Sequence, residues 1–313
     1  MYEKIILVTR KTRLEELIER FNTQAQAKFY IEHSQGNFAL YEQEHETYYQ
    51  AVTTLRRGLK KWAKVQEIER SFLPNFLFAA NNLVVTIGID GLVVNTAKYL
   101  DGQPVVAVNP DPAHIDGVLL PFNVIQALAI MPEALRGTAP IRPITMAEAR
   151  LNDGQSLLAF NDLFIGRQDH ASARYKIAVN GRSETHSSSG IIVSTGAGAT
   201  GWLSSLFNMA DGIWRSFNGD ETLTLARPNL TWDTDRLMFV VREPFVSKTS
   251  SANIVCGAIT RDTPLVLEST MPEGGVIFSD GVAADYVPFT SSSIATIGLA
   301  QRQTRLVVGA GNR

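Results

Sequence analysis

Apolar residues follow two rhythms through the first third of the chain. Unbroken runs at Lys4–Val8, Ala63–Ile68, Leu83–Ile87 and Pro104–Val108 have the length and Val/Ile content of strands buried on both faces. Helical stripes lie between them. Leu14, Leu17, Ile18 and Phe21 follow Thr12-Arg-Leu-Glu15, whose Thr-x-x-Glu form is a capping box. Tyr48, Val52, Leu55, Leu59 and Trp62 mark one face of a second helix, and Val93–Tyr99 a third. The basic cluster Arg56, Arg57, Lys60 and Lys61 reads as a solvated face. Residues Gln24 to Glu46 are ambiguous. Strands alternating with helices predict a parallel sheet covered on both faces.

Near Pro121 the rhythm changes. Pro121, Pro132, Pro140 and Pro143 punctuate a connecting region. Short β-rich runs then follow at Ser156–Phe160, Asp162–Gly166, Tyr175–Val179, Gly190–Thr195, Leu237–Val241, Leu265–Glu268, Gly275–Phe278 and Ser293–Leu299. Asn-Gly, Asp-Gly and Gly-Gly turns separate them, the pattern of an all-β layer or sandwich. The expected organisation is an α/β domain over residues 1–122 and a β-rich domain over 123–299.

Composition narrows the class. The 313 residues are 45% hydrophobic and 19% charged with a net charge of −2, so the chain buries a substantial core. No basic excess suggests nucleic acid or an anionic membrane as partner. The single cysteine, Cys256, excludes an intramolecular disulfide framework and a cysteine-cluster metal site, and a buried, inert thiol is expected. His33, His45, His114, His170 and His186 lack metal-ligand spacing. Met1 runs almost directly into a strand and no apolar stretch approaches ~18 residues. A soluble cytoplasmic protein is expected.

Two glycine-rich segments are candidates for chemistry. Gly88-Ile-Asp-Gly-Leu92 follows a buried-looking strand and opens a helix, where glycines let backbone amides approach an anion and a carboxylate can take a proton. Asp-Gly is equally a turn signal. The second segment is Ser194-Thr-Gly-Ala-Gly-Ala-Thr-Gly-Trp202. Gly196, Gly198 and Gly201 spell G-x-G-x-x-G, and Asp220 lies about where a ribose-binding acid is expected, the fingerprint of a nicotinamide-dependent oxidoreductase. Its place in the β-rich half, outside an opening βαβ unit, argues against that reading; a flexible glycine turn is the alternative. Asn161-Asp162, between two β runs, can hydrogen-bond a ribose diol or form an Asx-turn. Ser204 and Ser205 lack a nucleophile elbow, which discounts a hydrolase.

In order along the chain these segments resemble the NAD kinase family. That family carries Gly-Gly-Asp-Gly-Thr, then Asn-Glu, then Ser-Thr-Pro-x-Gly-Ser-Thr-Ala-Tyr. The similarity is greater to its mitochondrial-type branch, through Val108-Asn-Pro-Asp-Pro112, Ser188-Ser-Gly190, Trp202, Arg242-Glu-Pro244 and Asp280-Gly281, and it spans Lys4 to about Val308. The resemblance implies a Rossmann-like parallel α/β domain followed by a β-sandwich-like domain, the NAD kinase / diacylglycerol kinase-like fold, with residues 300–313 returning to the first domain. It implies transfer of the ATP γ-phosphoryl group to the adenosine-ribose 2′-hydroxyl of NAD. Asp90 would orient that hydroxyl and accept its proton. Gly88 and Gly91 would place amides around the ATP phosphates, with Mg²⁺ held through those phosphates. Asn161 and Asp162 would hold NAD, while Thr195, Gly196, Gly198, Thr200 and Gly201 would shape its pocket. Trp202 would stack on a ring, and a homodimer is implied.

The chain departs from the family pattern at four places. Ile89 replaces a glycine, which costs on the order of 1–3 kcal/mol if position 89 needs φ > 0. Leu92 replaces a threonine and removes a hydroxyl. Asp162 is one methylene shorter than the usual glutamate, and Gly201 stands where alanine is usual. A catalytically weak dinucleotide-binding homologue is therefore an alternative. A lipid kinase of the diacylglycerol or sphingosine type is another, with a similar glycine loop but without the asparagine–acid pair.

Overall fold

The unbroken apolar runs become one parallel sheet. In the computed structural model, which describes residues 2–219, 222, 224–282 and 285–309, the chain divides into two units: Met1–Arg142 with Thr304–Arg313, and Pro143–Gln303. The first unit contains β1 (Lys4–Thr9), α1 (Arg13–Phe21), α2 (Gln24–His33), α3 (Phe38–Leu59), β2 (Lys64–Glu69), a 3-10 turn (Arg70–Asn75), β3 (Asn82–Ile87), α4 (Asp90–Ala97), β4 (Pro104–Asn109), β5 (Phe122–Asn123) and α5 (Val124–Arg136). Its strands lie parallel in the order β2-β1-β3-β4, and β4 also pairs with β5 and with Arg305 and Leu306.

β3 and β4 are buried along their whole length, which is why they carry no polar alternation. Onto this sheet α3 lays Tyr48, Val52, Leu55 and Leu59, and α5 lays Ala127, Met131 and Ala134. Each large apolar side chain so buried contributes roughly 1.5–3 kcal/mol. The capping box forms as the sequence implies: Thr12 accepts from the Glu15 amide, and the Glu15 carboxylate accepts from the Thr12 amide at 2.7 Å.

Three local readings change. The ambiguous segment is α2 and the first part of α3, and its few buried anchors, Ala27, Ile31 and Phe38, are too sparse to show a stripe. Trp62 lies past the end of α3 and is exposed. The proline-punctuated connector holds α5, with Pro132 inside it, and α5 packs on α3. The chain thus leaves the first unit at Arg142 and not near residue 122.

The second unit continues with β6 (Ile141–Leu151), β7 (Ser156–Ala159), β8 (Asp162–Arg167), β9 (Ala173–Val179), β10 (Arg182–Ser188), β11 (Ile191–Ser194), α6 (Trp202–Asn218), β12 (Leu237–Val241), β13 (Cys256–Ile259), β14 (Leu265–Ser269), β15 (Gly275–Ser279), β16 (Tyr286–Pro288) and β17 (Ile294–Val307). One antiparallel sheet runs β13-β12-β11-β8-β15-β16, and a second layer runs β10-β9-β14-β17. Tyr175, Ile177, Leu265, Leu267 and Ile297 of one layer share a buried core with Leu163, Ile165, Val193, Phe239 and Ile277 of the other. Two inner faces closing on one core make a β-sandwich. The chain therefore has a parallel α/β unit and a β-sandwich unit.

β10, with the sequence Arg-Ser-Glu-Thr-His-Ser-Ser, shows no apolar alternation and is invisible to hydrophobic patterning. Cys256 corrects an expectation: it opens the edge strand β13 and is exposed rather than buried.

Candidate functional site

From β1 the chain runs to β2 on one side, then returns past β1 to β3 on the other. The loops leaving the carboxyl ends of β1 and β3 diverge at this switch point, the usual ligand position in open α/β sheets. A cavity of about 450 Å³ opens there. Arg10 and Arg13 reach it from the β1 end, Ile89 from the β3 end, Pro110 and Asp111 from the β4 end, and Glu44 and Tyr48 from α3.

Tyr48 anchors this corner. Its buried hydroxyl donates to the Ile87 carbonyl at 3.2 Å and accepts from the Arg10 amide at 2.9 Å, tying the ends of β3 and β1 to α3. Burial pushes its pKa up to about 12, so it stays a donor throughout the physiological range. Tyr48→Phe leaves both backbone partners unpaired, and urea unfolding is expected to show a loss of about 1–3 kcal/mol.

The glycine loop is well defined. The Gly88 amide donates to the Val108 carbonyl at 3.1 Å, and a β-carbon at Gly88 would lie 3.3 Å from Arg10 Cδ and 3.4 Å from its Nε. Ile89 sits at φ −106°, ψ 168°, ordinary extended backbone. The strain expected of a β-branched residue there is absent, and its half-exposed side chain instead forms cavity wall. Leu92 turns into the core, so this part of the loop offers no hydroxyl.

Asp90 opens α4, three residues earlier than the apolar pattern suggests. Its carboxylate accepts the Leu119 amide at 2.9 Å and the Val118 amide at 3.2 Å. A carboxylate has about four acceptor positions, so two amides leave room for a ligand hydroxyl. Upstream of those amides, Asn109 braces the turn after β4: its Nδ2 donates to the Ile115 carbonyl at 2.8 Å and its Oδ1 accepts the Asp111 amide at 2.9 Å. Beside the loop lie Arg10 Nε and Thr86 Oγ1, buried side-chain atoms without a hydrogen-bond partner. Orphaned buried donors are uncommon, and two flanking one loop draw attention to it.

In the β-sandwich unit, Asp280 gathers the other candidates. Its carboxylate accepts the amides of Phe160 at 3.1 Å, Asn161 at 2.7 Å and Asp162 at 3.3 Å. Thr195 closes the cluster from β11: its amide donates to the Asn161 carbonyl at 2.9 Å and its hydroxyl to the Phe160 carbonyl at 2.6 Å. The Thr195 hydroxyl also accepts the Gly198 amide at 3.2 Å. Gly196 and Gly198 are glycines for packing. A β-carbon would lie 1.8 Å from the Thr231 carbonyl oxygen in the first case and 2.2 Å from that of Asn161 in the second.

Thr200 and Gly201 lead exposed into α6, whose first residue is Trp202. The Trp202 ring stacks on Phe164 at 5.9 Å and carries the Arg242 guanidinium at 5.5 Å. The fingerprint reading also changes: β11, before the glycines, pairs antiparallel with β8 and β12, so no βαβ unit surrounds them. Asp220 lies outside the described residues. Patterning missed Arg10, Arg13 and Glu44. Asp280 stood in the sequence only as part of Asp280-Gly281, one of the segments similar to the mitochondrial-type branch, with no role assigned to it.

Burial, and after it the nearby Asp280 charge, pushes the Asp162 pKa up to about 6. The native state then binds this proton more tightly than the unfolded chain does. The resulting stabilisation is full below pH ~4 and is lost as pH rises to ~6, a swing of at most ~3 kcal/mol. Asp162→Asn is expected to raise thermal stability at pH 7, with the gain over wild type shrinking toward pH 4.

No protein-family model matches the sequence, and no curated protein matches it. Solved structures do. An NAD kinase from Archaeoglobus fulgidus in complex with ATP matches with a TM-score of 0.56 at 14% identity, over 98% of this chain and 94% of that one. The fold is that of the NAD kinases. Yeast NADH kinase complexed with NADH matches with a TM-score of 0.57 at 13% identity, over 100% of this chain and 85% of that one. The NAD-kinase fold thus extends over both units, the glycine loop lying in the α/β part and the Asn161–Asp162 cluster in the sandwich. Among the described residues no helix is long and apolar enough to cross a membrane.

Proposed function

We propose that the protein is a phosphotransferase that moves the γ-phosphoryl group of ATP to the adenosine-ribose 2′-hydroxyl of NAD or NADH. The observation that carries this reading is the glycine-flanked carboxylate, Asp90, at the switch point of a sheet with the NAD-kinase fold. Its two amide partners hold it in place with acceptor positions to spare. In the transfer the 2′-oxygen bonds to the γ-phosphorus, the bond to the ADP oxygen breaks, and the 2′-hydroxyl proton goes to Asp90. Positioning and charge neutralisation supply most of the rate in such reactions.

Among the described residues no group of three or more His, Cys, Asp or Glu could hold a metal ion. The Mg²⁺ such donors carry would be held by the nucleotide phosphates, where it neutralises their charge. Gly91 adds open space, since a β-carbon there would touch nothing within 4 Å. Asn161 and Asp162 hold NAD through ribose or base contacts, with Asp162 largely ionised and accepting at neutral pH, and Thr195 and Gly198 pack on the Asn161 backbone. Thr200, Gly201 and Trp202 border this pocket. The soluble enzyme acts in the cytoplasm as a homodimer.

A second reading is a dinucleotide-binding protein with weak transfer. It is favoured by the buried Leu92, which offers the phosphates no hydroxyl. Incubation with ATP, Mg²⁺ and NAD or NADH, with NADP(H) measured over time, tests the proposal. Many turnovers per protein are expected; tight NAD binding with less than one turnover supports the second reading. Phosphate appearing in a lipid extract, or hydride transfer, contradicts both.

A further inference from the structure

We propose that Asp280 is a positioning residue for the dinucleotide: it shapes the Asn161-Asp162 turn through three backbone amides and places a negative charge beside Asp162. This rests on the phosphotransferase reading and adds to it a residue that acts through its neighbours. The sheet register brings the groups together. β15 pairs antiparallel with β8, Ser279 lying opposite Leu163, so the turn after β15 meets the start of β8. There the Asp280 amide donates to the Asp162 carbonyl at 3.0 Å. In return, Asp280 Oδ1 accepts from the amides of Asn161 and Asp162, and Oδ2 from that of Phe160. Consecutive amides converging on one oxyanion form a nest. Such a nest fixes the peptide planes, and with them the directions in which side chains 161 and 162 leave the chain.

Backbone conformation separates this from an ordinary Asp-Gly turn. Asp280 sits at φ +55°, in the left-handed region where glycine is the relaxed choice, as Gly281 is at φ +69°. The carboxylate therefore stands at a position where the backbone alone favours its absence.

The two carboxylates are also unequal. Asp280 has three donors, whereas among the described residues no donor meets the Asp162 carboxylate. β7 leads into β8, and β11 and β15 pair with it, and none of the three carries an ionisable side chain. Among the described residues Asp280 is thus the charged group that faces Asp162. A ligand hydroxyl or base N–H supplies the donor that Asp162 lacks. Protonated, Asp162 loses acceptor capacity, so dinucleotide binding weakens in acid, and the Asp280 charge sets where.

Calorimetric titration of the full chain with NAD between pH ~5 and ~8 tests the proposal. Wild-type affinity is expected to fall, by up to about tenfold per pH unit, below a midpoint of about 6. Asp280→Asn keeps an oxygen for the Asn161 and Asp162 amides but loses the charge and the acceptor for Phe160. Its affinity at pH ~8 is expected to drop about three- to tenfold, while the acid midpoint moves down by about half a pH unit. Asp280→Gly suits the left-handed turn but removes every acceptor, and is expected to bind about thirtyfold more weakly with the same downward shift. Asp162→Asn, which leaves Asp280 in place, is expected to abolish the midpoint. Thermal melts check folding, and either Asp280 variant serves if the other fails to fold. A merely structural turn would change stability without moving the midpoint. An unmoved midpoint in the Asp280 variants, affinity within twofold of wild type in both, or a midpoint that persists in Asp162→Asn overturns the proposal, as does wild type failing to bind NAD. Binding with the expected pattern but no NADP formation upholds the role of Asp280 and refutes the phosphotransferase reading alone. NADP formation with a KM for NAD, and a pH dependence of that KM, indifferent to the Asp280 variants refutes the positioning role alone.

Discussion

Asp90→Asn is expected to lower the rate of NADP formation by about 10²–10⁴-fold, the range over which a positioned general base acts. The substitution is nearly isosteric. Its amide oxygen can still accept the Leu119 amide that the carboxylate accepts at 2.9 Å, so the loop and α4 are expected to keep their place. The proton of the attacking hydroxyl then has no acceptor, and kcat falls while KM for NAD changes little. Steady-state kinetics on wild type and variant separate these parameters. A fall in stability matching the fall in activity would instead make Asp90 a structural cap for residues 118 and 119. A rate within twofold of wild type would remove it from the chemistry.

Gly196→Ala is expected to have the largest effect on stability. The added carbon would stand 1.8 Å from the Thr231 carbonyl oxygen, a backbone atom with no rotamer to move to. Shifting that backbone costs more than the ~1–3 kcal/mol usual for overpacking, and a loss of about 4 kcal/mol or failure to fold is expected. Gly212→Ala in α6 is the control. Its β-carbon would meet nothing within 4 Å, and helix propensity favours alanine there by ~1 kcal/mol. Urea midpoints of the two variants measure the contrast. If Gly196→Ala melts like wild type but fails to bind NAD, the glycine serves ligand access and not packing.

Parts of this molecule were legible because one force acts alone. Where a strand is buried on both faces, as β3 and β4 are, hydrophobic continuity is sufficient, and where Thr12 and Glu15 cap a helix, local hydrogen bonds are sufficient. The Gln24–Glu46 region failed because α2 buries little beyond Ala27 and Ile31, so its face carries almost no period. β10 failed because its side chains are polar, with His186 paired to Glu184 and Ser188 bonded to Tyr175. α5 failed because Pro132 read as a breaker.

The site divides the same way. Gly88, Asp90, Asn161-Asp162 and Thr195–Gly198 announce themselves as short motifs. What each does depends on partners far away in sequence: Asp280 on Asn161, Thr231 on Gly196, Glu44 on Arg10. Ile89 makes the point sharply, since its identity suggested strain while its backbone, at φ −106°, is relaxed. Residue type gives the chemistry available at a position, and only the fold gives the contacts that use it.

The most direct test of the central claim is a crystal structure of the protein soaked with NAD. The expected result places the adenosine-ribose 2′-hydroxyl within about 3.2 Å of the Asp90 carboxylate, the reach a general base requires. NAD bound with that hydroxyl turned away from Asp90 would contradict the claim.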